Sequence, residues 1–93
     1  MLEKYKKLFR ALGSQERLTI IQHLIDNPPH ELNVTEAQAV IFTEQTAASY
    51  HLNLLHKAGV LTRVRRKNFT YYTIDTDSLV RQLEKFIADV TPE

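Results

Sequence analysis

Four cations, Arg63, Arg65, Arg66 and Lys67, fall within five residues of a chain whose net charge is only +1. No acidic residue occurs between Gln45 and Thr73. Because the local field rather than the total charge attracts a charged ligand, the cluster predicts a surface of positive potential that binds a polyanion. The alternative is a solvated hairpin tip whose charges prevent strand-to-strand aggregation.

The segment before the cations predicts a helix from about Gln45 to Lys57. Apolar residues recur on one of its faces, at Ala48, Leu52 and Leu55, and Gly59 follows where a left-handed residue commonly ends a helix. The other face would carry polar side chains able to reach base edges in the major groove: Gln45, Thr46, Ser49, Tyr50 and Asn53. Glu44 is expected to complement the helix dipole. Helix and cations together predict contact with double-stranded DNA.

Three further helices are predicted before this one. The first covers Glu3 to Leu12. The second is capped by Ser14 and ends at Asn27, because the following prolines disfavour helical geometry. A short third helix would be capped by Thr35. The second helix is expected to be central to the core because of its many apolar residues, namely Leu18, Ile20, Ile21, Leu24 and Ile25.

The pattern changes to a period of two after the fourth helix. VLTRVRR and FTYYTI predict two strands around a turn, in which Asn68 tolerates a positive φ where the turn requires one. A last helix, capped by Asp77 or Ser78, follows. This order predicts a mainly α fold with a small β-hairpin, the winged helix-turn-helix, as one DNA-binding domain over residues 1–93.

The first and last helices hold more apolar surface than a chain of 93 residues easily covers alone. We therefore expect a homodimer that is formed through these two helices. The alternative is that both helices pack only within their own chain. The predicted interface residues are Tyr5, Leu8, Phe9, Leu79, Leu83, Phe86, Ile87 and Val90.

Composition narrows the class of protein. There is no cysteine, which excludes disulfides and thiolate chemistry. No segment resembles a signal peptide or reaches the roughly 20 apolar residues of a membrane span, so we expect a cytoplasmic domain without a membrane partner. No phosphate-binding glycine loop, activated nucleophile or pair of carboxylates indicates an enzyme or a cofactor.

Over nearly its whole length the chain resembles the ArsR/SmtB family of dimeric bacterial repressors. LFRALGSQERLTIIQHL is similar to the family's ALSDPTRLRIL, TEQTAASYHLNLLHKAGVL to SQSTVSRHLKLLREAGLV, and RVRRKNFTYYTI to RREGRWVYYRL. The resemblance implies a homodimer that binds an imperfect palindrome near a promoter and releases it when an effector binds. It also implies that Gln45, Thr46, Ser49 and Tyr50 face DNA while the wing cations hold the backbone.

The chain departs from the family at its metal sites. ELNVTEA aligns with the family's ELCVCDL, so Asn33 and Thr35 replace the two cysteine ligands. The last helix has acids but no histidine for the family's second kind of site. We therefore expect no metal site, and the effector is unknown. His51 is expected to be structural, and His30 is the histidine most worth testing for a role. A winged-helix protein-interaction module that does not bind DNA is the alternative function.

Overall fold

The fold is a winged helix-turn-helix, mainly α with a small β-hairpin, as predicted. A computed structural model describes residues 1–93 and measures 49 × 22 × 22 Å. A 3-10 turn, Leu2–Tyr5, precedes α1 (Lys6–Leu12), α2 (Gln15–Asp26), α3 (Val34–Ile41), α4 (Gln45–Lys57), β1 (Leu61–Arg66), β2 (Phe69–Ile74) and α5 (Thr76–Val90). No helix combines the length and the apolar character needed to cross a membrane.

Three side chains cap the helix starts, and two of them differ from the prediction. Ser14 caps α2 as expected, accepting from the Arg17 N–H at 3.3 Å. Asn33, not Thr35, caps α3: its side chain accepts from the Glu36 N–H, and the Glu36 carboxylate accepts from the Asn33 N–H, both at 2.9 Å. This reciprocal capping box starts the helix earlier than a Thr35 cap would.

The cap of α5 was also wrongly predicted. Asp75 takes this role, and its carboxylate accepts from the Ser78 N–H at 3.1 Å. Asp77 lies inside the first turn of the helix. Both corrections have one reason: a capping oxygen must lie outside the helix and reach an N–H two or three residues ahead.

The core lies between α2, α4 and the base of the hairpin. The largest fully buried side chains are Leu8, Ile20, Leu24, Leu32, Leu52, Leu55, Val60 and Leu61. The broad apolar face predicted for α2 is narrower than expected, because Leu18 and Ile25 are 47% and 55% exposed. The buried stripe at Ile20 and Leu24 has the spacing of one helix face, and α2 packs with it against α3 and α4.

The hairpin, or wing, is anchored at its base. Leu32 and Tyr72 exchange two backbone hydrogen bonds of 3.0 and 2.8 Å, which tie the segment before α3 to β2. Gly59 has a φ of +77°, as its place after α4 predicted. At the tip, the positive φ of 57° belongs to Lys67 and not to Asn68. The geometry of the two-residue turn decides which position is left-handed, and here it overrides the preference of asparagine.

Candidate nucleic-acid interface

Helix α4 turns one face into the core and the other outward. Ala48, Leu52 and Leu55 have no exposed surface, so the helix is fixed firmly on the domain. The five residues predicted to meet DNA are accessible: Gln45, Thr46 and Tyr50 are exposed, and Ser49 and Asn53 are half-buried. Glu44 stands at the N-cap position without a side-chain capping bond, where its charge complements the positive end of the helix. From Gln45 onward, the outward face is polar and free of acids.

Arg63 and Arg65 extend this polar surface from the wing. They lie opposite Tyr72 and Thr70 in the antiparallel register, so both project from the same face of the hairpin. The Arg63 guanidinium is 3.5 Å from the Asn53 side-chain oxygen on α4, and that of Arg65 is 3.4 Å from the Thr70 hydroxyl. The wing and α4 therefore form one continuous surface.

Arg66 belongs to the opposite face of the hairpin. Its guanidinium forms an ion pair with Glu31 and lies 4.3 Å from the centre of the Tyr71 ring. The hydrogen bond with Glu31 raises the pKa of Arg66 above its ordinary value. Glu31 is 35 residues away along the chain, so no local pattern indicated this acid. Of the four cations, Arg63 thus lies beside α4, Arg65 shares its face of the hairpin, and Arg66 is held on the opposite face.

The residues of the predicted dimer interface divide into buried and exposed groups. Tyr5 and Leu8 are 5% and 1% exposed in the single chain. Phe86 packs edge-on against Tyr5 and Phe9, at ring-centre distances of 5.2 and 4.7 Å. Helix α5 has no buried residue, with Leu79, Leu83 and Phe86 partly covered. Phe9, Ile87 and Val90 are 39%, 60% and 46% exposed, respectively. An apolar strip on α1 and α5 therefore remains open.

Known proteins are similar to the chain along most of its length. No protein-family model matches it. It is 28% identical over 79 residues to the arsenical resistance operon repressor of Bacillus subtilis, covering 85% of this chain and 73% of that protein. It is 29% identical over 92 residues to an uncharacterized HTH-type transcriptional regulator of Methanocaldococcus jannaschii, covering 96% and 100%.

Solved structures agree in fold. A homodimeric winged helix-turn-helix DNA-binding domain of Mycobacterium bovis, described as a possible ArsR-family transcriptional regulator, matches with a TM-score of 0.72 at 26% identity, covering 99% of this chain and 84% of that one. Reduced HlyU of Vibrio cholerae matches with a TM-score of 0.67 at 26% identity, covering 97% and 92%. Relatives of this chain are named as transcriptional regulators, and the Mycobacterium bovis neighbour is a winged helix-turn-helix domain described as a possible ArsR-family member.

The two positions that resemble the cysteine ligands of the ArsR/SmtB motif hold no metal-binding side chain here. Asn33 caps α3, and Thr35 is exposed. No three side chains among histidine, aspartate and glutamate come together in a way that could hold a metal ion. His30 ties two elements together: its ring N–H donates to the Leu24 carbonyl at 2.8 Å, and its own carbonyl accepts from the Thr73 hydroxyl at 2.9 Å.

A buried arginine, Arg17, connects α4 to the rest of the fold. Arg17 is 7% exposed and has no carboxylate partner. It donates to the carbonyls of Ala11 at 2.8 Å and Arg10 at 3.0 Å, and to Nδ1 of His51 at 2.9 Å. Because a guanidinium can only donate, Nδ1 of His51 must be unprotonated. Arg17 thereby joins the end of α1 to α4, a role that the sequence did not indicate.

This contact predicts a pH dependence of stability. Burial and the nearby Arg17 charge lower the pKa of His51 below its ordinary value of 6.5. The unfolded chain therefore binds more protons than the folded one just below pH 6.5, so stability falls as the pH drops from about 6.5 toward the folded pKa. Urea unfolding between pH 5 and 8 should show this loss, and His51→Gln should reduce it. An identical pH profile for the variant would contradict the assignment.

Proposed function

We propose that the chain is a sequence-specific DNA-binding transcriptional regulator that acts as a homodimer on a palindromic operator. The observation that carries the proposal is the joint surface of α4 and the wing, where Asn53 meets Arg63. Short polar side chains on α4 can form hydrogen bonds with base edges, and the guanidinium groups beside them can bind phosphates. No carboxylate from Gln45 to Thr73 opposes the approach of a polyanion.

The homodimer is proposed to form through α1 and α5. The open apolar strip at Phe9, Ile87 and Val90 gives a second copy a surface to cover, with Tyr5 and Leu8 supporting it from the core. A two-fold pairing of this strip is self-complementary, which is how most small homodimers form. The homodimeric state of the Mycobacterium bovis domain supports a homodimeric state of this chain. The α4 helices of the two subunits would then bind the two half-sites of the operator.

We propose that the protein represses transcription and that it acts in the cytoplasm. The Bacillus subtilis relative is named a repressor, whereas HlyU is named a transcriptional activator. A bound dimer represses transcription where its operator overlaps the promoter. Expression of a reporter gene placed behind the native upstream sequence, measured with and without the protein, shows whether the protein represses or activates. The relatives are named as regulators rather than enzymes, and the proposal includes no catalytic step.

Selection of bound DNA from a random duplex pool tests the proposal. We expect enrichment of two inverted half-sites whose centres lie about one helical turn, or a multiple of it, apart. Binding should weaken steeply with salt: if three wing cations of each subunit, Arg63, Arg65 and Lys67, reach phosphates, the slope of log K against log salt is roughly −5 for the dimer. A protein-interaction module would give neither enrichment nor a steep salt response, and that result would reject the proposal.

The same selection repeated with Gln45→Ala tests the role of α4. Removing a side chain that bonds a base should change the preference at one position of each half-site by about 1–3 kcal/mol. Gln22→Ala on α2 is a matched control, since Gln22 is exposed and bonds Asp26 away from α4. An unchanged selected sequence for Gln45→Ala would remove this residue from direct recognition.

A further inference from the structure

A second group of cations lines a pocket beside the α4 surface. Lys4, Lys6, Lys7, Arg10 and Lys57 surround an open cavity of about 550 Å³, together with Glu3 and Leu54. We call this the basic pocket. Glu3, its one acid, pairs with the terminal amino group, and Lys4 pairs with Asp89 at 3.2 Å. Lys6, Lys7, Arg10 and Lys57 form no ion pair, so the pocket has an excess of positive charge.

This placement of cations is unfavourable for the isolated domain. Lys6 and Lys7 are neighbours on α1, and Lys6 and Arg10 are four residues apart on it, a spacing at which like charges repel. An anion in the pocket would relieve this repulsion.

The basic pocket is continuous with the surface proposed to meet DNA. Lys57 follows Asn53 by four residues and Tyr50 by seven, so it continues the outward face of α4. Arg10 donates to the Tyr50 hydroxyl at 3.3 Å, which joins α1 to that face. A path of polar and cationic groups therefore runs from Arg63 through Asn53 and Tyr50 to the pocket.

We propose that the basic pocket is a second phosphate-binding surface, which holds the backbone of the DNA duplex beyond the bases contacted by α4. The inference rests on the proposed function and extends it to α1. An extended polyanion suits the site because the cations are distributed along an open surface that continues from α4. Phosphate contacts of this kind add affinity without sequence preference.

The test compares double variants of the full chain by fluorescence anisotropy on the selected duplex and on a random duplex, from about 0.05 to 0.3 M salt. Lys7→Gln with Lys57→Gln, the pocket variant, removes two pocket cations. Arg63→Ala with Arg65→Ala, the wing variant, removes the two guanidinium groups beside α4. Thermal unfolding of each variant verifies that it is folded.

The control for charge is Arg81→Gln with Lys85→Gln. Both residues are exposed on α5 and neither lines the pocket, so this variant carries the same net charge as the pocket variant without altering the proposed surface. Any general effect of removing two positive charges therefore appears in both variants.

We expect the pocket variant to bind both duplexes at least about tenfold more weakly at 0.1 M salt, with a slope flattened by about 0.9 for each phosphate that is no longer neutralised. A pocket variant that behaves like the control, while the wing variant is weakened, would overturn this inference and leave the proposed function intact. Failure of the unchanged protein to bind with a steep salt dependence would instead reject the proposed function. Tight binding of inorganic pyrophosphate that disappears in the pocket variant, while its DNA affinity stays unchanged, would assign the pocket to a small anion and overturn the inference.

Discussion

Replacing Arg63 and Arg65 together by alanine is expected to weaken binding to every duplex roughly a hundredfold or more near 0.1 M salt. Both side chains are exposed, and the Arg63 guanidinium lies beside Asn53 of α4, where a bound duplex would pass. In a dimer the change removes four cations from the phosphate backbone, so the slope of log K against log salt should flatten by about 3 to 4 units. Anisotropy titrations at several salt concentrations measure both quantities.

Arg66→Ala provides the contrast within the same hairpin. Its guanidinium is paired with Glu31 and stacked on Tyr71, on the face away from Arg63. We expect its removal to flatten the slope by less than about 1 unit. Equal effects of Arg66→Ala and the Arg63 and Arg65 double variant would mean that the ion pair opens on binding, and would contradict the division of the wing into two faces.

Arg17→Met is expected to lower the free energy of unfolding by about 2–4 kcal/mol. The guanidinium is buried without a carboxylate, and its charge is stabilised by carbonyls at the negative end of α1. Methionine fills much of the same volume but leaves the carbonyls of Arg10 and Ala11 and Nδ1 of His51 without their donor. Urea unfolding at about pH 7.5, where His51 is neutral because its pKa is lowered, measures the change.

Arg81→Met on the exposed face of α5 is the matched control, and it should alter stability by no more than about 0.5 kcal/mol. A similarly small effect of Arg17→Met would contradict the role assigned to Arg17. Arg17 contacts α4 through His51. Weaker DNA binding by a folded Arg17→Met protein would therefore support the role of Arg17 in positioning α4.

Local rules predicted much of the fold because they depend on nearby residues. Helix α4 was predicted over Gln45 to Lys57, the range observed, since its apolar spacing, its polar start and Gly59 all agree. The caps of α3 and α5 were misplaced because several capping residues compete within three positions, and only the path of the chain selects one. Lys67 has the positive φ at the wing tip for a similar reason.

The candidate site was partly predictable. The positions of Gln45, Thr46 and Tyr50 on an exposed face follow from helical periodicity alone. The basic pocket was missed because Lys7 and Lys57 are 50 residues apart, and no sequence pattern brings them together. Arg17 was missed because a buried arginine without a carboxylate has no sequence signature.

The amino-acid sequence by itself determined the order of helices and strands, the polar face of α4 and the presence of four cations at the wing, because periodicity and composition act over a few residues. Only the tertiary structure decided which charged groups lie close enough in space to interact. It placed Glu31 against Arg66, left Arg63 beside Asn53 and gathered α1 cations next to Lys57. Electrostatic energy depends on distance in space, and distance along the chain does not determine it.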